Sequence, residues 1–156
     1  MSNSIRVPVV GPEPVFAHPT DAGADLLAAE ELVLEPGRRA LVGTGVRLAL
    51  PEDTVGLVVP RSGLAARHGV TLVNAPGTID SGYRGEIRVV LYNTDPDEAY
   101  RVRRGDRIAQ LVVLPRRKVE FLTVPELPEG DRGEAGFGSS GYAAGPADAD
   151  ASEAGA

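Results

Sequence analysis

The sequence contains no cysteine and no tryptophan, one methionine and only two histidines, His18 and His68. These absences remove disulfides, thiolate nucleophiles, cysteine zinc sites and clustered imidazole metal sites together. Any metal must therefore be bound by oxygen. No apolar run approaches the roughly 20 residues of a membrane span, and the N-terminus lacks the basic and then apolar pattern of a secretory signal. Both point to a soluble, cytoplasmic protein with no membrane partner. Lysine is nearly absent as well, with Lys118 standing alone against the arginines. Anion recognition would then fall to planar guanidinium forks, although a genomic composition bias accounts for the same ratio equally well.

What is present sets the scale. At 156 residues the chain is the length of one domain. Nineteen Gly and 13 Pro are too many for a helical bundle and suit many short strands joined by turns. The net charge of -6 is unevenly placed. Residues 126–156 hold Glu126, Glu129, Asp131, Glu134, Asp148, Asp150 and Glu153 against Arg132 alone, so the body of residues 1–125 is neutral. A neutral body with an acidic end and few aromatic rings lacks the basic surface and stacking platforms that nucleic acid requires. A small-molecule ligand fits better.

Runs rich in Val, Ile and Leu recur at residues 5–10, 39–42, 46–50, 55–59, 70–74, 87–93, 108–114 and 119–124. Turn signals such as Glu35-Pro36-Gly37, Ala75-Pro76-Gly77 and Arg104-Gly105-Asp106 separate them. This spacing predicts an all-β, antiparallel sandwich or jelly roll. Only Ser62–His68 reads as helical, with Ser62 as its N-cap. From residue 126 onward large apolar side chains nearly vanish, so burial cannot offset the entropy of ordering the chain. That predicts a mobile arm over 126–141 and a disordered tail over 142–156.

Five stretches could carry chemistry. Asp21-Ala22-Gly23-Ala24-Asp25 sets two carboxylates at a turn, where oxygen ligands could share Mg2+ with ligand phosphates; the plainer reading is a solvated turn. Pro60-Arg61-Ser62-Gly63 joins a strand end, a guanidinium and a helix start, a combination that suits phosphate oxygens but also describes a capped helix with a surface arginine. Asn74–Glu86 is denser. Its glycines at 77, 82 and 85 permit sharp turns and close backbone approach, Asn74 offers a donor and an acceptor on one amide, and Asp80 is placed to deprotonate water or merely to shape an Asx-turn. Gln110, in Arg104–Leu111, is a polar group on an apolar strand and needs a partner. Lastly, Arg132–Gly141 holds an arginine, a phenylalanine and two serines among four glycines, a composition suited either to folding over an anion or to a plain linker.

Taken together and in order, these stretches resemble the five motifs of the homotrimeric all-β dUTPase family. The resemblance covers residues from about 15 to 141. It implies a jelly roll of the β-clip type that assembles as a homotrimer, with each active site drawn from three chains. It also implies hydrolysis of dUTP to dUMP and pyrophosphate, with water attacking the α-phosphorus and Mg2+ as cofactor. In this resemblance Asp80 activates the water and Gln110 positions it. Arg61, Ser62 and Gly63 bind the phosphates, and Asp25 reaches Mg2+ through water. Asn74, Gly77, Thr78 and Ile79 read the uracil edge, Tyr83 packs beneath the sugar, and Arg88 also faces the site. Phe137 stacks on the base, while Arg132, Gly138 and Ser139 belong to the closing arm.

Three other readings compete. The dCTP deaminases resemble this family in fold, but the full fifth motif and the Gly77–Tyr83 hairpin favour hydrolysis. Asp80-Ser81-Gly82 looks like the tripeptide of aspartic proteases, whose partner elements are missing. A trimer that binds nucleotide without turnover is disfavoured because every proposed catalytic position holds a competent residue.

Overall fold

A computed structural model describes residues 4–130. Its strands are β1 (Val9–Val10), β2 (Ala24–Leu27), β3 (Leu32–Leu34), β4 (Arg39–Leu48), β5 (Thr54–Val59), β6 (Val70–Leu72), β7 (Gly77–Ile79), β8 (Glu86–Asn93), β9 (Tyr100–Val102) and β10 (Arg107–Pro115). The single helix among the described residues, α1, spans Ser62–His68. Buried side chains alternate along β5 and β8, the pattern of strands with one face on a core. One antiparallel sheet has the order β1-β4-β8-β6, a second β2-β10-β5-β7, and β3 pairs with β9 in a small third. Leu26, Val58, Ile108 and Leu111 from the second sheet join Val42, Val46, Ile87, Val89 and Leu91 from the first in one buried cluster. The expected all-β sandwich with one short helix is the observed architecture.

Several local expectations change. Residues 39–42 and 46–50, read as separate runs, belong largely to one ten-residue strand. The register of β4 against β8 shifts between Gly43 and Arg47, a β-bulge in which Gly45 takes a φ of 72°. Two carboxylates hold it, since the N–H of Gly43 donates to Glu30 Oε1 and the N–H of Gly45 to Glu86 Oε1, both at 2.8 Å. Ser62 is not the N-cap. Arg61 occupies that position with extended backbone and no side-chain cap, because a guanidinium has no acceptor to offer the free N–H groups, and Ser62 becomes the first helical residue. The run 119–124 forms no strand: β10 ends at Pro115, whose ring lacks a ladder donor.

Of the described residues, 4–119 form one compact unit and 120–130 belong to a second. Those of the second carry neither helix nor strand. The expected arm beyond 130 and the tail over 142–156 lie outside the described residues.

Candidate active site

A buried carboxylate organises the first group of residues. Asp25 on β2 is 3 % exposed, and burial of an unpaired charge would be strongly unfavourable. Its Oδ1 lies 3.0 Å from Nε of Arg61, just past β5, and its Oδ2 lies 3.5 Å from Nε of Arg107 on β10. Gln110 adds a long hydrogen bond, Nε2 to Oδ1 at 3.4 Å. Sheet order makes this meeting possible, because β10 lies between β2 and β5 and Gln110 is in register with both Asp25 and Val59. No buried side-chain polar atom among the described residues is left without a partner.

Arg107 was not singled out from the sequence. Residues three apart on a regular strand point to opposite faces, so Arg107 and Gln110 should not share a partner. The β-bulge between Arg107 and Ala109 changes the parity and turns both towards Asp25. Beside them, the first intrahelical bonds of α1 are donated by Leu64 and Ala65 to the carbonyl of Arg61. The N–H groups of Ser62 and Gly63 precede those bonds, and both residues are exposed, so hydroxyl and amides stand open to an anion beside the Arg61 guanidinium, whose Nε pairs with Asp25 and whose Nη1 donates to the carbonyl of Arg107.

The second group is the β7–β8 connection, which the sequence suggested as a hairpin; β7 pairs with β5 and β8 with β4 and β6, so the two strands lie in different sheets and the segment crosses between them. Thr78, Ile79, Asp80, Tyr83, Glu86 and Arg88 line a cleft of about 330 Å3 with Leu41 and Ile87 behind. Asn74 and Gly77 join Thr78, Ile79 and Arg88 around an adjoining cavity of about 70 Å3. Ligand pockets start at about 300 Å3, so the cleft matches a nucleoside better than a whole nucleoside triphosphate. The Tyr83 hydroxyl donates to the carbonyl of Glu86 at 2.9 Å, which fixes the ring, and the Ala75–Pro76 peptide bond is cis. Glu86 appeared in the sequence only as the end of a motif. Here its carboxylate ties the crossover to the β4 bulge.

One chain does not bring the two groups together. Gln110 pairs with Val59, whereas Ile79 pairs with Gly56 two strands further across the sheet. Strand spacing and rise put Asp80 and Gln110 roughly 15 Å apart. Arg132, Phe137, Gly138 and Ser139 lie outside the described residues.

An all-β sandwich that pairs a guanidinium–amide anion corner with a nucleoside-sized crossover cleft defines a nucleotide-handling protein. A family model described as dUTPase matches residues 11–141. The deoxyuridine 5'-triphosphate nucleotidohydrolase of Leifsonia xyli subsp. xyli is 57% identical over 143 residues, covering 91% of this chain and 94% of its own. That of Cutibacterium acnes is 57% identical over 145 residues, covering 91% and 95%. Among solved structures, the Staphylococcus bacteriophage 80alpha dUTPase with dUpNHpp superposes with a TM-score of 0.80 at 33% identity, covering 90% of this chain and 100% of its own. A D95N mutant dUTPase from phage phi11 of S. aureus, described for the coordination of a structural Mg(II) ion, superposes at 0.72 with 28% identity over 78% of this chain and 97% of its own. The chain belongs to the dUTPase family.

Proposed function

We propose that this chain hydrolyses dUTP to dUMP and pyrophosphate at sites completed between three copies of itself. The observation that carries the reading is the division of the site residues. The crossover cleft holds a nucleoside-sized space with the general base at its rim, and the anion corner lies roughly 15 Å away on the same chain. A crossover from one protomer set against the Asp25 corner of another restores a single site, and a third protomer would lend residues 126–141 as a closing arm.

In that site Asp80 removes a proton from water as the water oxygen bonds to the α-phosphorus and the bond to the bridging oxygen breaks, releasing pyrophosphate. Gln110 orients the water and contacts the α-phosphate, while Arg61, Ser62 and Gly63 take the phosphate oxygens. Asn74, Gly77, Thr78 and Ile79 read the uracil edge, Tyr83 lies beneath the sugar, and Arg88 flanks the cleft. Arg132, Phe137, Gly138 and Ser139 close over base and phosphate and exclude water. Deleting residues 131–156 then leaves a folded oligomer with little activity; full activity in that truncation would remove the arm from the mechanism.

The residues present fit Mg2+ that arrives on the triphosphate. Among the described residues no group of three or more acids or imidazoles forms a cage, and Mg2+ characteristically keeps several waters while using one or two carboxylates plus phosphate oxygens. Asp25 would hold it through water, since its Oδ2 retains acceptor capacity. When bound, the ion supplies charge neutralisation at the phosphates. A chain free of cysteine suits work in a reducing cytoplasm.

The deciding experiment offers dUTP, dCTP, dTTP and UTP with magnesium and scores pyrophosphate and ammonia separately. Pyrophosphate from dUTP alone is expected. Ammonia from dCTP would move the chain to deamination, and silence from folded protein would leave a binding module.

A further inference from the structure

The segment Asp80–Gly85 carries two side chains of the proposed chemistry yet belongs to neither sheet, since β7 ends at Ile79 and β8 begins at Glu86. None of its residues is buried. Packing therefore does not set its shape, and hydrogen bonds must. The N–H of Tyr83 donates to the carbonyl of Asp80 at 3.0 Å. Nη1 of Arg84 donates to the carbonyls of Ser81 at 2.6 Å and Tyr83 at 2.8 Å. The Tyr83 ring lies over Gly85 so closely that a Cβ there would come within 2.8 Å of Cε2 and nearer still to Cζ. One further bond enters from outside the crossover: Nε of Arg47, on β4, donates to the carbonyl of Arg84 at 2.9 Å.

We propose that Arg47 is a positioning residue for sugar selectivity, holding the Asp80–Gly85 loop through the Arg84 carbonyl so that the Tyr83 ring stays fixed beneath the substrate sugar. Arg47 does not reach the cleft. With Arg84, Pro8, Val10, Leu48 and Ala49 it lines a separate cavity of about 260 Å3 that shares no residue with the nucleotide cleft. It acts on the loop from the opposite sheet to β7, at the point where β4 and β8 regain register after the bulge, Arg47 opposite Glu86. The ring is pinned at its tip, where the hydroxyl end lies against Gly85 and bonds the neighbouring Glu86 carbonyl. Releasing Arg84 lets the loop, and the ring with it, take other positions. A platform that moves no longer excludes the extra hydroxyl of a ribose. The proposal rests on the reading of Tyr83 as the sugar platform.

The test compares kcat/KM for dUTP and for UTP in the wild-type oligomer, Tyr83→Ala, Arg47→Met and Arg47→Lys. The ratio of the two values does not depend on the fraction of protein folded, so simple destabilisation leaves it unmoved. Tyr83→Ala should collapse the ratio, Arg47→Met should lower it about tenfold, the scale of a small misplacement at a reacting site, and Arg47→Lys, which keeps a donor, should retain most of it. A wild-type ratio in Arg47→Met beside a collapsed one in Tyr83→Ala would overturn the role of Arg47 and leave the platform standing. An unchanged ratio in Tyr83→Ala would sink both. Equal losses in Arg47→Lys and Arg47→Met would overturn the hydrogen bond as the cause.

Discussion

The Asp25 corner and the β7–β8 crossover reach order by opposite means. Asp25 is buried, paired with two guanidiniums and set on three hydrogen-bonded strands. Asp80 is exposed on a loop shaped by bonds to backbone carbonyls. The corner couples stability to function, because its polar groups are part of the core's electrostatic balance. The crossover separates them. Its chemistry can be removed with little effect on the fold, and its geometry is set by a few exposed hydrogen bonds.

The sharpest contrast comes from the two aspartates. Asp80→Asn should lower kcat by about 10²-fold or more, the scale of a lost general base, while binding of a non-hydrolysable dUTP analogue persists. Urea unfolding should shift by less than about 0.5 kcal/mol, as for an exposed residue without a structural partner. Near-normal turnover would take Asp80 out of the mechanism. Asp25→Ala should instead destabilise the fold by about 2 kcal/mol. That lies below the roughly 3–5 kcal/mol of a fully buried broken pair, because Arg61 and Arg107 are 28 % and 53 % exposed and can regain water. An Asp25→Ala protein as stable as wild type would show that the corner is functional only.

How legible each region was follows from the same physics. Glu86–Asn93 stands out because one face is buried along its whole length, and Arg107–Pro115 because Ile108 to Leu114 is an almost unbroken apolar run. Leu32–Leu34 and Tyr100–Val102, three residues each, are too short to show a period and are strands only because they pair with each other. The run 119–124 shows the converse, an apolar pattern without a ladder. In the site, Asp25, Arg61, Gln110 and the crossover segment were readable as motifs, and the structure brings the first three together. Arg107 was not, because its orientation depends on a bulge that no parity argument anticipates. Arg47 and Glu86 were invisible as partners, since what they hold is a loop carbonyl at Arg84 and an amide on β4, both distant in sequence. That 39–42 and 46–50 join in one strand through Gly43 and Gly45 was not legible because the carboxylates that hold the bulge lie 13 and 41 residues away in sequence.

The bulge gives a gentler way to tie the regions together. Gly45→Ala places a side chain at φ 72°, with Pro12 Cδ 3.3 Å from the new Cβ. A left-handed conformation costs a non-glycine residue about 1 kcal/mol, so a loss of that size in urea unfolding is expected. Because the Gly45 N–H holds Glu86, KM for dUTP should rise modestly as the crossover loosens. A stability loss with unchanged KM would show that the bulge and the cleft are independent.

The smallest effect belongs to a turn outside both regions, and it sets the baseline for the others. Asp95 is held below the ordinary aspartate range by hydrogen bonds its carboxylate accepts from the N–H groups of Glu98 and Asp97, at 2.8 and 2.9 Å. The unfolded chain therefore binds this proton at higher pH than the folded one. The contribution is present above about pH 4, the ordinary aspartate value, and is lost as pH falls through the lower folded value. Asp95→Asn should flatten the acid limb of the stability profile slightly while leaving kcat/KM and the dUTP to UTP ratio untouched. If instead Asp95→Asn moved that ratio, exposed turn bonds would influence the cleft at a distance, and the separation of crossover geometry from the rest of the fold would fail.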